Sequence, residues 1–235
     1  MFISIIIPAY NEEERLKTSL DKLCQYLTGK DYEYEVIVVD DGSSDKTSQT
    51  VLESKLAKSG KVIFLSNGEN KGKGFSVKRG ILHSVGEYVL FSDADFSTPI
   101  EELDKLLSFL KEGYDIAVGS RSVKGANVTV HQPFYRETMG KVFNFLVQFF
   151  VLKGIHDTQC GFKLFRGPCA KSIAQELKID RFGFDVEMLY LANKKNYKIK
   201  EVPVTWINST TSKVNPIKDS LNMFLELLSI KKLHG

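Results

Sequence analysis

Asp93-Ala94-Asp95 places two carboxylates on alternate residues just beyond the apolar run 88–91. At the end of a strand, alternate residues point the same way, so the two side chains converge. That donor set suits a hard divalent cation, Mg²⁺ or Mn²⁺, with positions left over for phosphate oxygens. A second acidic cluster, Asp40-Asp41-Gly42-Ser43-Ser44-Asp45, follows the run 35–39, and Pro8-Ala9-Tyr10-Asn11-Glu12-Glu13 follows 2–7. Asp40 is expected to accept hydrogen bonds from a nucleoside base or ribose. Two roles fit Asp41, nucleoside contact and the bracing of a tight turn. Tyr10 can lie against a base, and Glu12 either binds ribose or favours a helix N-terminus electrostatically. Asn70-Lys71-Gly72-Lys73-Gly74 lacks the P-loop spacing, yet it can bring glycine backbone and Lys73 to a helix N-terminus, a place suited to anions. Taken singly, each cluster is also what a solvated turn or surface loop looks like. Their arrival at one rim singles them out.

That rim follows from the elements around the clusters. Short β-branched runs at 2–7, 35–39, 61–65, 88–91 and 115–118 alternate with helical patterns at 12–27, 45–57, 74–85 and 100–110. This alternation predicts an α/β fold with a mainly parallel sheet flanked by helices. In such sheets ligands gather beyond the carboxyl ends of the strands, where these clusters lie. After residue 120 the alternation stops. An 11-residue run, 142–152, is apolar except for Asn144 and Gln148, a helical pattern follows at 184–194, and 198–206 reads as a strand. The stretch 216–233 carries Leu221, Phe224, Leu225 and Leu228 on one face and ends with Lys231-Lys232 near its close.

Composition excludes several classes. With 235 residues, 43% hydrophobic and 26% charged, the chain can bury a substantial core and is not disordered. A net charge of +3 without a concentrated basic patch argues against a nucleic-acid partner. Cys24, Cys160 and Cys169 are odd in number and widely spaced, which predicts reduced thiols. No uninterrupted apolar stretch reaches the roughly 18–20 residues needed to span a bilayer.

Taken together, residues 4–13, 38–45, 70–74 and 93–95 resemble the nucleotide-sugar half of an inverting, family 2 glycosyltransferase of GT-A fold. The second half is similar to the dolichyl-phosphate glucosyltransferases and, more loosely, to the polyprenyl-phosphate mannose synthases. The residues that carry this are Asp157-Thr158-Gln159-Cys160-Gly161-Phe162-Lys163, Arg181-Phe182-Gly183-Phe184-Asp185-Val186-Glu187, Glu201-Val202-Pro203-Val204-Thr205-Trp206 and Ser212-Lys213. Ser97, in Asp93-Ala94-Asp95-Phe96-Ser97-Thr98-Pro99, leans toward the glucosyl branch, since the mannosyl branch commonly has Gln there.

The resemblance implies transfer of a hexose, glucose from UDP-glucose being favoured, to a polyprenyl phosphate. GDP-mannose as donor, and a glycan or protein hydroxyl as acceptor, are the alternatives. It implies that Pro8, Tyr10, Asn11, Glu12, Asp40, Asp41, Lys73, Asp93 and Ala94 hold the nucleotide sugar, and that Asp93 and Asp95 hold the metal. Lys213, in the family's Ser-Lys motif, supplements the cation at the leaving group. Arg121 and Arg136 are the expected grips on the acceptor phosphate, unless they pair with structural carboxylates. Asp185 is the candidate base if the acceptor is an alcohol, or else a helix cap or a brace for Arg181. The expected division is a transferase domain over 1–215 and an amphipathic helix over 216–235. Relatives of this kind carry a membrane helix at one end or the other, and these residues contain none. The expectation is peripheral attachment on the cytoplasmic side of a membrane, through the region 134–152 and the last helix.

Overall fold

Every residue of β1 (Ile3–Ala9) is buried, which a β-branched run achieves only where both faces of a sheet are covered. The computed structural model describes residues 1–130, 134–208 and 218–235, with side chains for all of these except 135–137 and 218–221. After β1 come α1 (Glu13–Thr28), β2 (Tyr34–Asp40), α2 (Thr47–Leu52), α3 (Lys55–Lys58), β3 (Val62–Ser66), α4 (Lys73–His83) and β4 (Tyr88–Ser92). A 3₁₀ turn (Ile100–Glu102) leads into α5 (Leu103–Lys111), then β5 (Ile116–Ser120), β6 (Asn127–Val130) and α6 (Phe134–Phe150). The chain closes with β7 (Phe162–Arg166), α7 (Gly167–Glu176), α8 (Phe184–Lys194), β8 (Ile199–Pro203), β9 (Thr205–Ile207) and α9 (Lys218–His234).

Among the described residues, seven strands form one sheet in the order β3-β2-β1-β4-β7-β5-β8. All its neighbours are parallel except β7, which runs antiparallel to both β4 and β5. β6 and β9 form a separate two-stranded ribbon. One face of the sheet is covered by apolar stripes of α1 (Leu16, Leu20, Leu23, Leu27) and α5 (Leu103, Leu106, Leu110). The other is covered by α4, α7 and α8, with Phe143 and Val147 of α6 and Leu227 and Ile230 of α9 joining the same core.

Two runs that read as single elements are divided. The 45–57 pattern becomes α2 and α3 because Ser54 leaves the helical conformation and its side chain caps Ala57 N–H at 3.1 Å. The 198–206 run breaks at Val204. Its first part pairs with β5, and its second leaves the main sheet to join β6. All three cysteines are free thiols, and burial holds those of Cys160 and Cys169 up at about 11 and about 12.

Candidate active site

The carboxyl ends of β1, β2 and β4 open into a cleft of about 400 Å³. Pro8, Tyr10 and Glu12 reach its wall from β1, Lys73 from the start of α4, and Asp93, Ala94 and Asp95 from β4. The loops that carry them are tied together. Asn11 has φ of +53°, donates its backbone N–H to Ser43 Oγ at 2.9 Å and accepts Ser44 N–H on Oδ1 at 2.8 Å. It thus joins the β1 loop to the β2 loop and does not line the cleft.

Asp40 also serves the framework. It is 3% exposed, and its carboxylate accepts from Ser43 N–H at 3.2 Å and from the Ser43 hydroxyl. The residue of the Asp40-Asp41 pair that lines the cleft is Asp41. Asp41 accepts from Asn67 Nδ2 (2.8 Å), Lys71 N (2.9 Å) and Gly72 N (2.8 Å), so it holds the segment that delivers Lys73. Gly72, at φ +109°, is required there, since a Cβ would stand 2.2 Å from the carbonyl oxygen of Asp180.

Asp93 and Asp95 are each accompanied by a cation. Lys73 Nζ lies 2.7 Å from Asp93 Oδ1, and Arg15 Nη1 lies 3.5 Å from Asp95 Oδ2 while its other nitrogens engage Glu12. Burial works against the Lys73 charge, but Asp93, Asp185 and Asp95 together outweigh it and the Lys73 pKa is raised. The Asp93 carboxylate is seated by Gly161. Asp93 N–H donates to the Gly161 carbonyl at 3.0 Å, and a Cβ at Gly161 would stand 2.1 Å from Asp93 Oδ2. Gly161→Ala is therefore expected to displace this carboxylate. Urea titration should show about 1–3 kcal/mol of lost stability, and calorimetric titration with Mn²⁺ should show weaker binding.

The second half of the chain closes the cleft. Arg121, an expected grip on the acceptor phosphate unless paired with a structural carboxylate, is paired with Asp157 through its backbone N–H (2.8 Å), Nε (2.8 Å) and Nη2 (2.9 Å). Desolvation opposes both charges, but each overcomes it in the other: Arg121 is raised and Asp157 is held below the usual carboxylate range. The guanidinium lies 5.3 Å from the Trp206 ring centroid, and both residues line the cleft. Asp185 also lines it, but its carboxylate forms an ion pair with Lys163, a fully buried lysine on β7. Lys163 Nζ donates in addition to the Cys160 carbonyl at 2.7 Å. Burial pushes the Asp185 pKa up while Lys163 and Lys73 oppose the shift. Asp185 is thus built as a counter-ion between two lysines. Arg136 falls within α6, where its side chain is outside the described residues, and Lys213 lies outside them altogether.

Sequence reasoning passed over Lys163, Arg15 and Trp206 as site components. Arg15 did carry a signal, since it follows Glu12 by three residues on a helix, the spacing of a side-chain pair. Lys163 carried none, because it stands in an apolar strand 22 residues from its partner.

Residues 4–173 match the family model "Glycosyl transferase family 2". A dolichyl-phosphate beta-glucosyltransferase of Dictyostelium discoideum is 39% identical, over 98% of this chain and 74% of its own length. The chain belongs to glycosyl transferase family 2. Proteins of the same name from Drosophila melanogaster and Homo sapiens are 40% and 37% identical to this family 2 enzyme, each over 97% of it and 74% of their own length. The fold is GT-A. Glucosyl-3-phosphoglycerate synthase from Mycobacterium tuberculosis, solved with UDP, superposes at a TM-score of 0.70 with 18% identity, covering 97% of this chain and 79% of that one. A mannosyltransferase from Pyrobaculum calidifontis, solved with GDP-Man and Mn²⁺, superposes at 0.60 with 18% identity, covering 90% of this chain and 57% of that one. The protein is a family 2 glycosyltransferase.

Proposed function

We propose that the protein transfers glucose from UDP-glucose to a dolichyl-type polyprenyl phosphate, with inversion at the anomeric carbon. The observation that carries this reading is identity of 37–40% with dolichyl-phosphate beta-glucosyltransferases along 97–98% of the chain. Tyr10, Asp41, Lys73 and Asp93 all line the cleft, and in this reading Tyr10 and Asp41 serve the nucleoside and Lys73 and Asp93 the diphosphate. Asp93 and Asp95 present hard carboxylate oxygens on one wall, a donor set that fits Mg²⁺ or Mn²⁺ with ligand positions left for the diphosphate. A cation so held would offset the charge that develops on the leaving nucleotide diphosphate. Lys73 and Arg15, already at these carboxylates, add to the same field.

A phosphate monoester has its second pKa near about 6, so the attacking oxygen is largely deprotonated at neutral pH. The acceptor needs no strong base, which agrees with Asp185 being occupied by Lys163. Arg121, fixed by Asp157, offers its remaining N–H donors to the acceptor phosphate, and Arg136 is its proposed companion.

Lipid access comes from α6 and α9. Phe145 and Phe149 of α6 are 67% and 69% exposed and stack with centroids 6.4 Å apart. On α9, Leu225 and Leu228 are exposed, while Met223 of the same helix lines the cleft. No helix among the described residues is long and apolar enough to cross a membrane. These faces are proposed to lie in the headgroup region of the cytoplasmic leaflet, with Lys231 and Lys232 toward anionic lipid. Replacing both Phe145 and Phe149 by Ser is expected to weaken vesicle co-sedimentation by about a hundredfold or more, at about 1.5–3 kcal/mol per ring. UDP binding should be unchanged, and undiminished sedimentation would refute the assignment.

The activity itself is tested by incubating the protein with a panel of nucleotide sugars, Mg²⁺ or Mn²⁺, and dolichyl phosphate, then weighing the lipid product. A hexosyl-phospholipid formed from UDP-glucose is expected. Product from GDP-mannose alone, or transfer only to glycan or protein hydroxyls, would overturn the reading.

A further inference from the structure

Among the described residues, Arg15, Lys73, Arg121 and Arg181 are the cations lining the cleft. Three are matched by carboxylates: Arg15 by Glu12 and Asp95, Lys73 by Asp93, and Arg121 by Asp157. Arg181 is not. Among the described residues no carboxylate lies within ion-pair distance of it, and its Nη1 donates to the neutral amide oxygen of Asn70 at 2.9 Å. Burial raises the pKa of Glu226 and the Arg181 charge partly offsets this at a distance, while Glu226 Oε2 itself is taken by Gly183 N–H at 2.8 Å.

The side chain is nonetheless held in place. Its stem passes over Gly72, where a Cβ would stand 3.2 Å from Arg181 Cδ, and Phe75 N–H donates to the Asp180 carbonyl at 3.2 Å. Arg181 therefore rests on the segment that starts α4 and carries Lys73. A guanidinium offers five N–H donors in a planar fork, of which the Asn70 contact uses one. An uncompensated, pre-oriented fork on a cleft wall matches the planar, multidentate recognition of a phosphate group.

We propose that Arg181 binds a phosphate oxygen of a substrate in this cleft. The inference rests on the transferase reading above, in which two substrates bring phosphate: the nucleotide diphosphate and the lipid phosphate headgroup. The shared chemistry is a phosphate dianion or diester facing the Arg181 fork beside Lys73.

Arg181→Gln keeps an amide donor on a shorter side chain and removes the charge. Wild type and variant are titrated with UDP and with uridine, and KM is measured for a short-chain polyprenyl phosphate. If the donor supplies the phosphate, UDP binding weakens about tenfold or more while uridine binding is unchanged. If the acceptor supplies it, UDP binding is unchanged and KM for the lipid phosphate rises by a similar factor. Arg181→Lys should recover part of either loss, since it restores charge without the fork. The proposal is overturned if all three quantities are unchanged, or if uridine binding falls as much as UDP binding, which would mean that the loop has merely been distorted. A wild-type protein that binds no nucleotide diphosphate and uses no lipid phosphate would instead remove the proposed function, a result read before any variant is made.

Discussion

An Asp95→Asn enzyme is expected to lose sugar transfer by at least about 10²–10³-fold, the usual cost of removing one preorganised charge-stabilising group. The substitution is nearly isosteric. Asp95 Oδ1 accepts from Ser97 N–H at 2.9 Å, a bond that the amide oxygen of Asn retains. Oδ2 lies 3.5 Å from Arg15 and gives up its charge, so Arg15 remains with Glu12. Because the local hydrogen bonding survives, urea stability should change little. The loss should appear instead in Mn²⁺ affinity, read by titration or electron paramagnetic resonance, and in turnover at saturating nucleotide sugar. Wild-type turnover in this variant would refute the assignment of Asp95 as a metal ligand.

Lys163→Met should act mainly on the fold. Lys163 is 0% exposed and paired with Asp185, which is itself buried. Removing one partner of a buried pair costs up to about 3–5 kcal/mol, and here it leaves the Asp185 charge with only the field of Lys73 to offset it. The pH dependence has a definite sign. Without Lys163 the Asp185 pKa, already raised by burial, rises further. The folded state then binds more protons than the unfolded one, so the variant loses stability as pH rises through and above the carboxylate range. Denaturation midpoints taken from acid to neutral pH would show the gap to wild type widening. Adding Asp185→Asn should close much of that gap, because the buried charge is then gone. A double variant as unstable as the single one would show that Lys163 contributes through packing alone.

The N-terminal half was legible because its strands are apolar runs that end abruptly in polar clusters, and such ends fall on one rim whenever the strands are parallel. The placement of Asp93, Asp95, Tyr10 and Lys73 beside one cleft follows from that rule. Asp40 and Asp41 show its limit. Neighbouring residues at a strand end point to opposite sides, and composition does not tell which side is the cleft. Asp40 was expected at the nucleoside, yet it turns into the loop and Asp41 takes the wall. Arg121 shows another limit. A cation after a strand looks equally free and equally paired until its partner, Asp157, is brought from 36 residues away. Lys163 was hidden for the same reason, since a lysine among Phe162, Leu164 and Phe165 reads as the polar side of an edge strand. Its partner reaches it only when α8 packs over the sheet.

The position of β7 affects how the enzyme is made. It lies inside the sheet, bonded to β4 on one side and β5 on the other, although it is assembled from residues 162–166. A chain emerging from the ribosome therefore carries β3, β2, β1 and β4 with the outer edge of β4 unpaired until residues 162–166 have been synthesised. The carbonyl of Gly161 that receives Asp93 N–H arrives with the same segment. Seating of the Asp93 carboxylate, proposed here to hold a metal, therefore waits for this segment. A prematurely terminated product would hold most of the proposed nucleotide-binding residues yet expose a bare strand edge, a natural target for aggregation or chaperone capture.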